Sequence, residues 1–206
     1  MSTSTRKAHW EHIYETCSPD EVSWFQPTPR HSLDVIEPLG LSPDAPIIDI
    51  GGGDSRLVDH LLELGYQDIT VLDISEAAIR KAQQRLGKIA GQVQWIAEDI
   101  TAFRPSKQYA LWHDRATFHF LREEAEIDRY VKIATQAIRP GGYLMLGTFS
   151  THGPDRCSGL DVTQYSAQSM TSLFQEHFEQ PDCHTVDHET PSGKIQQFLF
   201  CLFRRQ

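Results

Sequence analysis

The feature of this 206-residue chain that most narrows its fold is the stretch "APIIDIGGGDSRLVDHLLELG", residues 45–65. A β-branched run ends in an acid and three glycines, and leucines then recur at helical spacing, Leu57, Leu61, Leu62 and Leu64, with Gly65 as a stop. Ordering glycine is costly, so a cluster at the end of a strand marks a place where something must come close to the backbone. The pattern predicts a strand, a sharp turn and a helix whose first-turn amides face whatever approaches.

The unit recurs along the chain. "DITVLDIS" predicts a second strand, and "SEAAIRKAQQRLGK" a helix capped by Ser75 with Ala78, Ile79, Ala82 and Leu86 as its apolar stripe. "GQVQWIAEDI" and "QYALWHDRATF" read as the third and fourth strands, "EEAEIDRYVKIATQAIRPGG" as a helix closed by Pro140 and Gly141, and "YLMLGTFS" as the fifth strand. A helix over "SAQSMTSLFQEHF" and a closing hairpin, "CHTVDHET" and "IQQFLFCLFRR" around "PSGK", complete the series. Alternation of this kind predicts an α/β fold, a Rossmann-like and mostly parallel sheet with helices on both faces, and the hairpin places one antiparallel strand at or near its edge. The length suits one domain over 1–206, with 1–40 as a helical and aromatic lid segment and 45–206 as the cofactor-binding core.

Composition excludes several classes of function. A formal net charge of -9 opposes general affinity for nucleic acid or an anionic membrane, because both need a basic face. No apolar run reaches the roughly 20 residues of a membrane span, and the polar start "MSTSTRKAHWEH" lacks a secretory centre, so a soluble cytoplasmic protein is expected. Cys17, Cys157, Cys183 and Cys201 are scattered, which fits reduced thiols better than a disulfide framework. In "CHTVDHE", strand alternation sets His184 and His188 on one side and Cys183 and Asp187 on the other, so no metal site is expected.

In such sheets ligands bind at the carboxyl ends of the strands. Gly51, Gly52 and Gly53 lie at one of them, but the last glycine of the dinucleotide fingerprint is replaced by Arg56, which disfavours a nicotinamide nucleotide. The bend suits the amino-acid end of a smaller nucleoside cofactor, with Asp49 available to its ammonium directly or through water. Asp73 with Ile74, about 20 residues on, closes the second strand where an acid takes ribose hydroxyls. Asp99 with Ile100, after the third strand, offers an acceptor beside an apolar surface for a purine.

"IIDIGGGDS", "VLDIS", "AEDI" and "IRPGGYLML" resemble, in order and over nearly the whole chain, the motifs of the class I S-adenosylmethionine-dependent methyltransferases. The resemblance implies a seven-stranded sheet with its last strand antiparallel, S-adenosylmethionine as methyl donor, S-adenosylhomocysteine as product and no metal. Gly52, where a small polar residue is more usual, and Arg56 depart from the pattern. "W-x-x-x-Y", "WFQPTP" and "DRATFHF…RYVKIATQAIRPGG" are similar to small methyltransferases of the thiopurine and thiol S-methyltransferase type. An aromatic start and an acid after the fourth strand also occur in seven-stranded protein lysine methyltransferases.

On the acceptor side, Trp10 and Tyr14 read as one apolar helical stripe packed on the sheet, and Trp24 and Phe25 as a pocket wall, with Trp24 over the cofactor's sulfonium. "WHDRATFHFL" supplies His113 and Asp114 for acceptor positioning or proton removal, Arg115 for an anionic group or an ion pair, Phe118 for the acceptor wall and His119 as a packed core histidine. Arg156 and Cys157, in the long loop after the fifth strand, line the other wall, with the cysteine inert. The expected function is methyl transfer by in-line displacement to a small acceptor, preferably a thiol or related sulfur compound. The alternatives are a protein lysine N-methyltransferase and a non-catalytic module that binds the same cofactor.

Overall fold

Four consecutive buried residues, Ile47–Ile50, form β1, and such burial on both faces requires neighbours on each side. The computed structural model of the chain describes residues 3–206. In it β1 lies parallel between β2 (Ile69–Asp73) and a later strand, β3 (Val93–Ala97) flanks β2, and β4 (Tyr109–Arg115) is that later strand. After β5 (Ile138–Phe149) and a small ribbon of β6 (Arg156–Cys157) and β7 (Leu160–Asp161) come β8 (Asp182–Glu189) and β9 (Ile195–Arg204). Among the described residues the main sheet has seven strands, ordered β3-β2-β1-β4-β5-β9-β8, and β9 runs antiparallel to both its neighbours. The closing hairpin thus inserts its second strand inward and leaves β8 at the edge. The strand order reverses between β1 and β4, which opens a crevice at their carboxyl ends.

Six helices are described: α1 (Thr3–Thr16), α2 (Arg30–Ile36), α3 (Leu57–Glu63), α4 (Glu76–Leu86), α5 (Glu124–Ala137) and α6 (Ala167–Phe174). Leu33 and Ile36 of α2 and Leu57 and Leu61 of α3 pack on one face of the sheet against Ile47, Val71, Leu111 and Phe200. Tyr130 and Ala134 of α5 and Met170 and Phe174 of α6 pack on the other against Ile48, Trp112, Leu144 and Phe203. Fully burying each such aliphatic or aromatic side chain contributes about 1.5–3 kcal/mol. Because Leu111 belongs to one layer and Trp112 to the other, His113 follows the first and Asp114 the second. None of the described helices is long and apolar enough to cross a membrane.

Three expectations change at this level. The fifth helix ends at Ala137, before Pro140, because Ile138 is already extended and pairs with Tyr109; β5 then runs through the "RPGG" stretch with a register shift. Cys183 and Cys201, expected as free thiols, are joined in a disulfide, because the hairpin register sets them directly opposite each other on β8 and β9. Their separation of 18 residues in sequence hid a cross-strand pair. Trp10 and Tyr14 do not pack on the sheet: α1 lies beside α4, across the strand ends, and turns both rings toward the crevice.

Candidate cofactor and acceptor site

Each glycine of the bend is required by a different neighbour. Gly51 has a φ of 66°, and a Cβ there would stand 1.8 Å from Thr117 Oγ1. A Cβ on Gly52 would meet Asp49 Oδ2 at 2.4 Å, and one on Gly53 would meet Asp73 Oδ2 at 2.5 Å. The absent side chains therefore make room for two carboxylates and a hydroxyl at the strand ends. Arg85 of α4 fixes the loop beyond, donating to Ser55 O at 2.7 Å and Asp59 Oδ2 at 2.8 Å and pairing with Asp54. Arg56, the departure from the glycine fingerprint, opens α3 at its N-cap position.

The bend opens into a two-lobed cleft. One lobe carries Asp73, Ile74, Asp99 and Ile100, with Leu72, Ala116 and Leu121 as further apolar floor. The other carries Asp49, Gly52, Ser32, His113 and Phe25. Tyr14, Trp24, Gly51 and Arg115 line both lobes and form the neck between them. Of the three glycines, Gly53 alone lies behind this lining, against Asp73.

Asp73 closes β2 buried, with Oδ1 accepting from Ser75 N at 2.8 Å. Burial pushes its pKa up to about 7, and the nearby Asp49 and Glu11 charges push the same way. Asp99 accepts from both Thr101 N and Thr101 Oγ1 through Oδ1 and from Arg6 through Oδ2, so it lines the cleft with both oxygens already engaged. Arg6 also pairs with Glu126, and Glu11 accepts from Ser75 Oγ, Glu76 N and Ala77 N at the start of α4. These contacts hold α1 over the cleft as a roof. Its Trp10 ring stands 5.7 Å from Trp24 and 5.0 Å from Phe120, centre to centre, and Tyr14 stands 6.2 Å from Trp24. Arg6, Glu11, Ser32 and Thr117 carry no local signal in the sequence, because their roles exist only after distant segments meet; the i, i+4 spacing of Trp10 and Tyr14 is a local signal, but what it faces is not.

The candidates after β4 separate by face. Asp114 is fully buried on the α5 side, where Oδ2 accepts from Tyr130 OH at 2.6 Å and Oδ1 from Thr117 N and Phe118 N. Burial raises its pKa to about 6, against the lowering effect of these bonds. It shapes the turn from the core and does not line the cleft, which corrects its assignment to the acceptor. Phe118 is likewise shut in the core beside Tyr130 and Tyr165, not on an acceptor wall. His119 is a fully buried imidazole kept neutral, its pKa lowered to about 3 by burial. Arg156 is exposed beside Asp161 on a separate groove rather than in the neck. Cys157 does line the cleft, in the lobe that carries Asp73, where burial raises its pKa.

His113 is buried, and both its nitrogens are bonded: Nδ1 to Asp49 Oδ1 at 2.7 Å and Nε2 to Ser32 Oγ at 2.9 Å. Both ring nitrogens are thus already engaged by protein partners. Arg115 donates through Nη1 to Trp24 O at 2.9 Å and lies 5.2 Å over the Phe198 ring, while its solvent-excluded Nη2 has no hydrogen-bond partner among the described residues. Burial lowers its pKa to about 10, which still leaves it charged near neutrality.

A mostly parallel sheet with a glycine bend after β1 and an acid at the end of β2 has the layout in which α/β domains bind nucleotides at their strand ends. Residues 47–142 match the family described as "Methyltransferase domain". This match and the seven-stranded sheet agree with the resemblance of the chain to the class I S-adenosylmethionine-dependent methyltransferases. The chain is 26% identical over 154 residues to the eEF1A lysine and N-terminal methyltransferase of Mus musculus, spanning 70% of this chain and 22% of that protein. It is 27% identical over 104 residues to malonyl-[acyl-carrier protein] O-methyltransferase 2 of Ilyobacter polytropus, spanning 50% and 39%. The chain thus matches well under half the length of these relatives. Among solved structures, the N-methyltransferase NodS from Bradyrhizobium japonicum in complex with S-adenosylhomocysteine superposes with a TM-score of 0.71 at 17% identity, covering 95% of this chain and 97% of NodS. A structure described as "Conversion of a Disulfide Bond into a Thioacetal Group during Echinomycin Biosynthesis" gives 0.76 at 20% identity, covering 97% and 93%.

Proposed function

We propose that the chain is an S-adenosylmethionine-dependent methyltransferase acting on a small acceptor, and that the preferred acceptor is a thiol or related sulfur nucleophile. The cofactor's residues fit on three counts: an unpartnered buried Asp49 oxygen for an ammonium, glycines that leave room at the bend, and Asp73 at the ribose position. When bound, this cofactor supplies a methyl carbon on a sulfonium, open to in-line displacement. The chain's own contribution is to position the two reactants and exclude water. Residues 1–40 act as the lid, of which Met1 and Ser2 lie outside the described residues; Trp10, Tyr14 and Trp24 give the sulfonium aromatic faces and cover it.

One observation carries the choice of acceptor: the buried Arg115 guanidinium lines both lobes at the neck, and its Nη2 has no hydrogen-bond partner among the described residues. A fixed positive charge there favours a thiolate over a thiol, which lowers the cost of generating the nucleophile without a dedicated base. The same charge repels an incoming ammonium, which counts against a protein lysine. That second reading keeps one support, since the mouse relative over 70% of the chain is named for lysine and N-terminal methylation.

The test incubates the purified chain with methyl-labelled S-adenosylmethionine and either a thiol panel or a cell lysate. Label in a small methylated thiol supports the proposal, label in a protein band overturns the acceptor class, and the absence of turnover with cofactor bound points to the binding module. Replacing Trp24 by Ala is expected to lower turnover about tenfold through lost positioning, while the melting temperature holds.

A further inference from the structure

Ser32 Oγ, His113 and Asp49 form a continuous hydrogen-bonded chain in which each member is at most 3% exposed. They come from α2, β4 and β1, so three distant segments converge on one carboxylate. Asp49 Oδ1 is taken by the imidazole, whereas Oδ2 is buried without a partner among the described residues and lies where a Cβ on Gly52 would stand. A buried carboxylate with one oxygen bonded and one bare carries a large desolvation cost, which an ammonium reaching the bend would offset.

We propose that His113 is a positioning residue for cofactor recognition: braced by Ser32, it holds Asp49 so that Oδ2 is reserved for the ammonium of the cofactor's amino-acid end. The inference rests on the cofactor reading given above and adds to it the reason that a histidine stands near the end of β4. Ser32 donating to Nε2 leaves the ring's proton on Nδ1, directed at Asp49, and the carboxylate is then locked against rotation. The same order of side chains serves nucleophilic hydrolysis elsewhere. Here Ser32 is 1% exposed and offers no face to a carbonyl, and the bare atom belongs to the acid, not to the hydroxyl.

The test is equilibrium binding by calorimetry with two ligands, S-adenosylhomocysteine, which carries the amino-acid end, and 5'-methylthioadenosine, which lacks it. His113→Leu is expected to weaken S-adenosylhomocysteine about tenfold and methylthioadenosine less than about twofold. Ser32→Ala, a smaller perturbation, is expected to give the same selective loss at about threefold, and His113→Asn, which keeps an N–H toward Asp49, to recover part of it. Equal loss for both ligands in His113→Leu and Ser32→Ala, or unchanged S-adenosylhomocysteine affinity, overturns the proposal. Retained methylthioadenosine binding shows that each variant is folded. Failure of the unmodified chain to bind S-adenosylhomocysteine at all overturns the cofactor reading instead.

Discussion

The strand-end floor of the cleft and its neck are built differently. The cofactor end takes Asp49, the glycine bend, Asp73 and Asp99 from three successive strand ends, with one short stretch of chain supplying nearly every contact. The neck and the covering wall draw Trp10, Tyr14 and Trp24 from before the first strand, Arg115 from β4 and Cys157 from the ribbon after β5. A cofactor common to many reactions can be held by contacts that chain order brings together. An acceptor that differs from enzyme to enzyme is met by side chains that only tertiary packing assembles, in loops and an added N-terminal segment. The contrast repeats within β4, where His113 faces the lobe that carries Asp49 and Asp114 the opposite core.

The largest way to test this division is at Gly51. A side chain there meets both a left-handed backbone and Thr117, so Gly51→Val is expected to cost about 1–3 kcal/mol from the backbone alone and to abolish S-adenosylhomocysteine binding. Urea unfolding and calorimetry read the two effects separately.

Next is Tyr130→Phe, beneath the acceptor end, which removes the donor to Asp114 and the acceptor of Trp112 Nε1. A loss of about 2 kcal/mol is expected, with cofactor affinity unchanged; reduced affinity would show that Asp114 reaches the cleft after all. The deficit depends on pH in a defined sense. Asp114 is raised in the fold from 3.8 to about 6, so the folded state holds the extra proton and stability from this group falls as pH rises across that window. The tyrosine bond favours the charged form, so the variant's deficit should be larger at pH 7 than at pH 5.

The smallest effect concerns Asp73, whose pKa near 7 leaves it partly protonated at neutrality. Ribose hydroxyls are best accepted by the ionised form, so S-adenosylhomocysteine affinity should rise up to about tenfold from pH 6 to pH 8, with proton release on binding. Asp73→Asn should bind more weakly and with that pH dependence removed.

The sheet and the cofactor end were readable because apolar periodicity, glycine clusters and terminal acids are local signals. "PIIDI", "VLDIS" and "GGGDS" each state a conformation within a few residues, and parallel strand pairing then places their ends side by side. The exceptions also follow from physics. Asp99 was read as a free acceptor because its partner, Arg6, lies 93 residues away. The disulfide escaped notice because hairpin register, not sequence spacing, sets Cys183 opposite Cys201.

Sequence by itself determined the α/β layering, the bend and the acids at the strand ends, since these depend on backbone preference and burial over short spans. Only the tertiary structure decided that His113 bonds Asp49, that Asp114 serves the core, that α1 roofs the cleft and that Arg115 is buried at its neck. Those outcomes depend on which face a side chain takes and on which distant segment meets it there, and neither is written in the neighbouring residues.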